Sequence, residues 1–395
     1  MGCDFSFIHA ADLHLGSRLK HLSDSDPELR TRIYESIFES FSRIVDTGIR
    51  QSDFMVISGD LFDEAFMTPR TKHRFCTEAE RYGKPMFIIR GNHDFGDKWE
   101  DTIPYPKNVI LLPAEPRTMR MTIRGRNVDV VGVSFKEWHT TENLARKLRG
   151  SPDAYTVAVL HCSLKEIADS GDYAPCSLND LMGRNIDYWA LGHIHKRTVV
   201  REQGPAVVYP GNIQGRHTGE SGEKGCYLVS VTGDTTELEF IPTQGVLFDS
   251  ITADISGKKS VAELISSVDA APGSVTSVTF TGMGPLDAAV RADPEGIAEA
   301  IGRAKGCRMS VDAVRTIPEI DLPRLREGET LMSEIVRTAD SMFSRSDEEI
   351  VDMLCKGPAS DIKDDIMELV RDGTFRRILE EAEMELLSRI EGGSQ

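Results

Sequence analysis

Apolar residues in the first 240 positions fall into short, dense runs bounded by Gly, Pro or Asp: FSFIHAA, FMVIS, MFIIR, VDVVGVS, TVAVLH, YWAL, AVVYP and CYLVSV. Runs of this length, rich in Val, Ile and aromatic residues, predict strands buried on both faces. Helical periodicity fills several of the gaps. From Glu28 to Gly48, Ile33, Ile37, Phe41, Ile44 and Val45 recur at that spacing, and Gly48 stands where a C-cap is expected. Strands alternating with helices predict an α/β fold around a buried sheet.

The pattern changes after position 245. A strand (Leu247 to Ile255), a helix (Ser260 to Val268), a strand (Val275 to Thr281), a helix (Pro294 to Ala304) and a strand (Met309 to Val314) predict a small α/β unit over 246–318. Ala271-Pro272-Gly273 and Gly282 to Pro285 punctuate it. From about Asp321 the chain reads as helical. Leu331, Ile335, Ala339 and Met342 are expected on one face, and Ile362, Ile366, Leu369, Leu379, Ala382, Leu386 and Ile390 on another. The expected domains are 1–245, 246–318 and 319–395.

Composition narrows the class. The 395 residues suffice for two or three domains with full cores, and 40% hydrophobic with 28% charged residues is ordinary for a soluble chain. No apolar run reaches the length of a membrane span. The first residues lack the basic and apolar regions of a signal peptide. Seven scattered cysteines without a C-x-x-C pair indicate neither a zinc knuckle nor a disulfide framework, and a reducing cytoplasm is expected. A net charge of −17 argues against a generally adhesive nucleic-acid binder, although bound cations and local basic loops can supply positive charge. All ten histidines lie between His9 and His217, so any histidine chemistry belongs to the first domain.

Five short motifs stand in order: Asp12-Leu13-His14, Gly59-Asp60-Leu61-Phe62-Asp63, Gly91-Asn92-His93-Asp94, His161, and Gly192-His193-Ile194-His195. Four follow an apolar run directly and His161 ends one. The carboxyl ends of strands in an open α/β sheet share an edge where ligands bind, so these residues should converge. Carboxylate, imidazole and amide oxygen suit manganese, iron or zinc. The D-x-H and H-x-H spacings place both side chains on one face of a strand, whereas in a tight loop they diverge, which lets His193 and His195 serve different ions. Glycines 59, 91 and 192 allow sharp turns before the ligands. Alone, D-x-H is commonplace, His161 would be a satisfied strand-end histidine, and G-N-H-D would be a turn. The ordered set at strand ends points to a metal centre.

D-x-H, G-D-x-x-D, G-N-H-D, a lone histidine and G-H-x-H resemble the signature of the calcineurin-like metallophosphoesterases. The resemblance implies an α-β-β-α sandwich and two divalent ions, most naturally manganese. Asp12, His14, Asp60 and His195 would hold one ion; Asp60, Asn92, His161 and His193 would hold the other, with Asp60 bridging. His93 would face the substrate phosphate, and Asp63 would orient it through its far ring nitrogen. Arg90 stands where a proline commonly precedes G-N-H.

FIHAADLHLGS, with Gly16 after the first motif, resembles the DNA-repair exonuclease branch: the nuclease SbcD, the YhaO proteins and the archaeal and eukaryotic double-strand-break repair nuclease. Tyr209 to His217, followed by Gly222-Glu223-Lys224-Gly225, resembles the YhaO side. The resemblance implies a DNA exo/endonuclease domain over 1–245, a capping domain over 246–318 and a helical region over 319–395 that docks on an SMC-like coiled-coil ATPase. Asp63 departs from the branch, whose archaeal and eukaryotic members commonly carry histidine there. DNA contacts are expected at Arg18, Lys20, His21, Arg216 and His217. In 341–395 Asp and Glu outnumber Lys and Arg about two to one, which suits a protein partner better than DNA. The helix near Thr68 to Tyr82 is where dimers of this branch form. The rival readings are a small-molecule phosphodiesterase or nucleotidase, and a catalytically silent scaffold; the complete set of polar motifs speaks against the scaffold.

Overall fold

Every one of the eight apolar runs forms a strand in the computed structural model, which describes residues 3–17, 27–63, 66–96, 99, 101–167, 171–355 and 362–392. The chain makes two compact units, residues 1–249 with 273–275, and residues 250–272 with 276–395. In chain order the first holds β1 (Phe5–Ala10), α1 (Pro27–Gln51), β2 (Phe54–Ser58), α2 (Pro69–Tyr82), β3 (Met86–Ile89), β4 (Val109–Leu111), β5 (Arg117–Ile123), β6 (Arg126–Gly132), β7 (Tyr155–His161), α3 (Leu178–Leu181), β8 (Tyr188–Gly192), β9 (Thr198–Arg201), β10 (Ala206–Tyr209), β11 (Gly225–Thr232) and β12 (Thr235–Pro242). Two six-stranded sheets result, ordered β12-β11-β1-β2-β3-β4 and β5-β6-β7-β8-β10-β9. β1, β2 and β3 run parallel in the first sheet, and β6, β7, β8 and β10 in the second.

Side-chain alternation builds the layers. Phe5, Phe7, Phe54, Val56, Phe87 and Ile89 meet Val157, Val159, Tyr188 and Ala190 in a core between the sheets. The intervening residues Ile8, Ala10, Met55, Ile57, Met86 and Ile88 face Ile37, Phe41 and Ile44 of α1 and Phe75 and Ala79 of α2. On the other side Ala158, Leu160, Trp189 and Leu191 pack on Leu144, Leu148 and Leu181. This is the expected α-β-β-α sandwich. Each fully buried large apolar side chain contributes about 1.5–3 kcal/mol. Thr68 caps α2 by accepting from Thr71 N, Pro69 opens its first turn, and Gly83 closes it at φ 68°. The expected cap at Gly48 does not form. α1 continues to Gln51, and Gly48 is a packing site, where a Cβ would lie 2.8 Å from Tyr82 Cε2.

The second unit holds most of β13 (Phe248–Asp254), then α4 (Val261–Ser267), most of β14 (Val275–Met283), α5 (Asp287–Ala292), α6 (Pro294–Lys305) and β15 (Arg308–Ile317), with a sheet ordered β13-β14-β15. Among the described residues five helices follow: α7 (Leu322–Glu327), α8 (Leu331–Phe343), α9 (Asp347–Leu354), α10 (Lys363–Arg371) and α11 (Phe375–Gly392). The expected tail faces are displaced by one position in places. Val336 and Ala339 are buried on α8 while Leu331 is 68% exposed, and on α11 Leu387 is buried where Leu386 was expected. Adjacent stripes of a helix both carry apolar residues here, so periodicity alone does not choose between them. No helix among the described residues is long and apolar enough to cross a membrane.

Candidate metal centre

The parallel strands deliver the five motifs to one rim. Asp12 and His14 follow β1, Asp60 and Asp63 follow β2, Asn92 and His93 follow β3, His161 ends β7, and His193 and His195 follow β8. The first-sheet loops are stitched together by Asp12 N to Gly59 O (3.1 Å), His14 N to Asp60 O (2.9 Å) and Leu15 N to Leu61 O (2.9 Å). The second sheet joins them where His161 Nδ1 lies 2.9 Å from Ser58 O and His193 N donates to both Asp12 oxygens at 3.1 Å. Gly91 leaves room for this approach, because a Cβ there would strike the Asp60 carboxylate.

Potential donor atoms cluster accordingly. Asp12, His14 and His195 form one group, and Asp12, Asp60 and His161 another, each with its donor atoms within 4.8 Å of one another. Asn92 Oδ1 lies 2.9 Å from His161 Nε2, and the His193 ring lies 5.2 Å from that of His161. A third group joins His14 to Asp63 and His93. The structure therefore brings together all seven expected ligands and sets the His93–Asp63 pair beside them, Nδ1 to Oδ1 at 3.5 Å.

The local physics is unfavourable without a cation. Asp12, His14, Asp60 and His161 are buried. Burial, and next the charge of Asp60, push the Asp12 carboxyl well above the usual range. Burial holds His14 and His161 below the ordinary imidazole range, which leaves them neutral with a lone pair to offer. His14 Nε2 and His195 Nε2 face each other at 3.0 Å, and His14 Nδ1 is buried without a hydrogen-bond partner. Asp12, His14, Asp60 and His193 all have positive φ, at 50°, 45°, 52° and 100°. Such conformations cost about 1–3 kcal/mol each and persist where the surroundings dictate them. Buried like charges, facing imidazole nitrogens and mixed oxygen and nitrogen donors fit divalent transition ions.

Comparison with known proteins agrees. The calcineurin-like phosphoesterase family profile matches residues 5–197. The uncharacterized metallophosphoesterase YhaO of Bacillus subtilis is 38% identical over 274 residues, covering 67% of this chain and 67% of that protein. The chain belongs to the calcineurin-like metallophosphoesterases. The DNA double-strand break repair protein Mre11 of Archaeoglobus fulgidus is 27% identical over 232 residues, 53% of this chain and 50% of the relative. Mre11 of Sulfurisphaera tokodaii is 26% identical over 255 residues, 59% of this chain and 62% of the relative. The metallophosphoesterase described here thus spans half to two thirds of these relatives.

Around the expected ligands of this metallophosphoesterase lie further polar residues to which the motifs assign no role. Glu220 Oε1 lies 2.7 Å from His195 Nδ1, and Oε2 accepts from Asn212 Nδ2 at 2.9 Å and Arg216 N at 2.8 Å. With Nδ1 so engaged, His195 offers Nε2. Burial opposes ionisation of Glu220, but the His195 bond and the Arg216 charge hold its carboxyl well below the usual range. Asp94 accepts from Leu61 N (2.8 Å) and Gly91 N (2.7 Å) and so ties the second motif loop to the third. Burial, then Asp60, push it up to about 7. Arg216 sits in the Glu220 network with its side chain 19% exposed, and its Nη2 lies 3.2 Å from His195 Nδ1. His217 Nε2 lies 3.7 Å from Glu220 Oε1. Arg18, Lys20 and His21 lie outside the described residues. The signal for Glu220 was its place four residues after Arg216, between the two segments Tyr209 to His217 and Gly222 to Gly225.

Proposed function

We propose that this metallophosphoesterase is a two-metal phosphodiesterase that cuts DNA in double-strand-break repair, in the cytoplasm and with manganese as its ion. The carrying observation is the convergence of Asp12, Asp60, Asn92 and the imidazoles of His14, His161, His193 and His195 at one rim, beside the partly exposed His93–Asp63 pair. Asp12, His14, Asp60 and His195 would hold one ion, and Asp60, Asn92, His161 and His193 the other. Bound there, the two ions would lower the pKa of water and neutralise phosphoryl oxygens.

The protein's own residues supply the proton. Asp63 engages His93 Nδ1, which leaves Nε2 for the substrate. The Asp63 bond raises the His93 pKa, against a smaller opposing effect of burial. A proton on His93 Nε2, favoured by Asp63 at the far nitrogen, is the one that would pass to the leaving oxygen as water attacks phosphorus and the phosphorus–oxygen bond breaks. The backbone N of His93 donates to Asp60 Oδ1 at 2.9 Å, which fixes the loop relative to the ligands.

Relatives that carry DNA double-strand break repair in their names support the choice of substrate. The acidic C-terminal helices expose Ile378 and Leu386, which supports a protein partner, proposed as an SMC-like coiled-coil ATPase. The α2 face is the proposed place for a homodimer. The test is a manganese-supplemented assay on linear duplex DNA, single strands, cyclic nucleotides and a generic phosphodiester. DNA cleavage is expected. Hydrolysis of the small esters with no DNA cleavage would overturn the nuclease reading.

A further inference from the structure

Trp138 is the most exposed large apolar side chain of the first unit among the described residues, at 56%. It lies in the loop after β6, and its ring meets Tyr173 edge-on, with centroids 5.8 Å apart and planes at 88°. His139 touches both, at 5.8 Å from Trp138 and 5.1 Å from Tyr173. Tyr173 in turn lies 4.8 Å from the His193 ring. A file of rings therefore runs from solvent to a candidate ligand.

The file is held in place by the backbone. Tyr173 N donates to Ser163 Oγ at 3.1 Å, and its carbonyl accepts from Ser163 N at 2.7 Å, two residues beyond His161. Ala174 N donates to Thr140 O at 2.7 Å, which joins the Trp138 loop to the Tyr173 segment. Ala174 does so at φ 43°, a conformation that its surroundings must impose. A lone exposed apolar residue is ordinary. An exposed indole continuous with two held rings and ending on a candidate metal ligand is a shaped surface.

The ligand that such a surface fits is flat, has two π-faces and is tethered to a phosphoester. That is a nucleobase. Inside a duplex both faces are covered by neighbouring bases, so only an unpaired or terminal base is available. Stacking also needs no positive surface, which matters for a chain of net charge −17. We propose that Trp138, Tyr173 and His139 form a stacking platform for an unpaired nucleobase adjoining the phosphoester presented to the metal centre. This rests on the phosphodiesterase reading and sharpens its substrate to a frayed or single-stranded end. Small nucleotides carry the same chemistry, so the test separates the two sources.

The test measures anisotropy of a labelled single-stranded oligonucleotide and of an abasic strand of equal length and charge, in the full chain carrying His93→Asn to prevent cleavage. The base-bearing strand should bind about tenfold tighter. Trp138→Ala should bring that ratio close to one, and Trp138→Phe should keep most of it. Equal binding of both strands with Trp138 intact overturns the platform, as does a ratio that Trp138→Ala leaves unchanged. A cyclic mononucleotide that competes as well as the oligonucleotide, and loses this in Trp138→Ala, supports the platform and assigns it to small nucleotides. An oligonucleotide bound with the expected ratio but left uncut by the parent protein, which still turns over a small diester, supports the platform and removes only the nuclease reading.

Discussion

The two units treat polar and strained residues in opposite ways. In the first, four charged or ligating side chains (Asp12, His14, Asp60 and His161) are buried together at the strand ends, and three of them sit with or beside positive-φ backbone. Among the described residues, every non-glycine residue with positive φ belongs to this unit. In the second unit the buried acid Asp287 is paired, 2.8 Å from Arg291 Nε and 2.6 Å from Thr316 Oγ1. Its helices end by ordinary rules: Asp293 caps α6 by accepting from Gly296 N, and Ser346 and Glu349 form a capping box on α9. The first unit holds unfavourable arrangements that a cation would relieve, whereas the second satisfies its groups internally. Four positive-φ expected ligands gathered with buried, mutually repelling groups at one rim mark where function lies.

The sharpest way to break this contrast is Asp60→Asn. It removes the shared carboxylate of both ligand sets, and activity should fall by more than the roughly 10–100-fold typical of losing an outer partner. The metal-free variant should also be more stable than the parent to urea, because Asp12 is relieved of a buried like charge. A less stable metal-free variant would contradict the reading of stored repulsion. Next in size, His93→Asn should reduce turnover by about 10²–10⁴-fold while elemental analysis finds unchanged metal content. Full activity in that variant removes His93 from the mechanism.

Glu220→Gln should weaken metal affinity by about 10–100-fold through loss of the hold on His195, measured by titration of the metal-free protein. The smallest effect is on stability. His9 is fully buried, its Nδ1 3.0 Å from Tyr188 OH and its Nε2 3.1 Å from Ser58 Oγ, and burial lowers its pKa to about 3. The unfolded chain takes up this proton below about pH 6.5 and the folded chain does not. His9 stability is thus complete above pH 6.5 and lost as the pH falls toward 3, at about 1.4 kcal/mol per pH unit. Asp94, raised to about 7, titrates with the opposite sign over this range. The slope is therefore read as the difference between the parent and His9→Gln in urea unfolding of metal-free protein, and no difference between pH 6.5 and 5.5 would contradict a neutral buried His9.

Legibility in the sequence follows burial. The eight apolar runs are β1, β2, β3, β6, β7, β8, β10 and β11, all interior strands. β4, β5, β9 and β12 were not foreseen, and they are the four edges of the two sheets. RTMRMTI and TTELEFIP face solvent on alternate residues, so their apolar content never rises above that of a loop. The expected ligands were legible because each is locked to a strand end by a short motif. Glu220 and Tyr173 were not, because each acts through a tertiary contact that no local spacing encodes; Asp94 stood in the third motif, but its hold on Leu61 N did not. The chemistry of His93 and Asp63 rested on resemblance, and the 3.5 Å separation gives that pairing its physical form.

The central claim is that the strand-end rim holds two metal ions. Equilibrium dialysis of the full chain against manganese, followed by elemental analysis, tests it directly. The parent protein should saturate at two ions per chain, with both lost or weakened together in Asp60→Asn. Saturation at one ion or none, or two ions retained with unchanged affinity in Asp60→Asn, would contradict it.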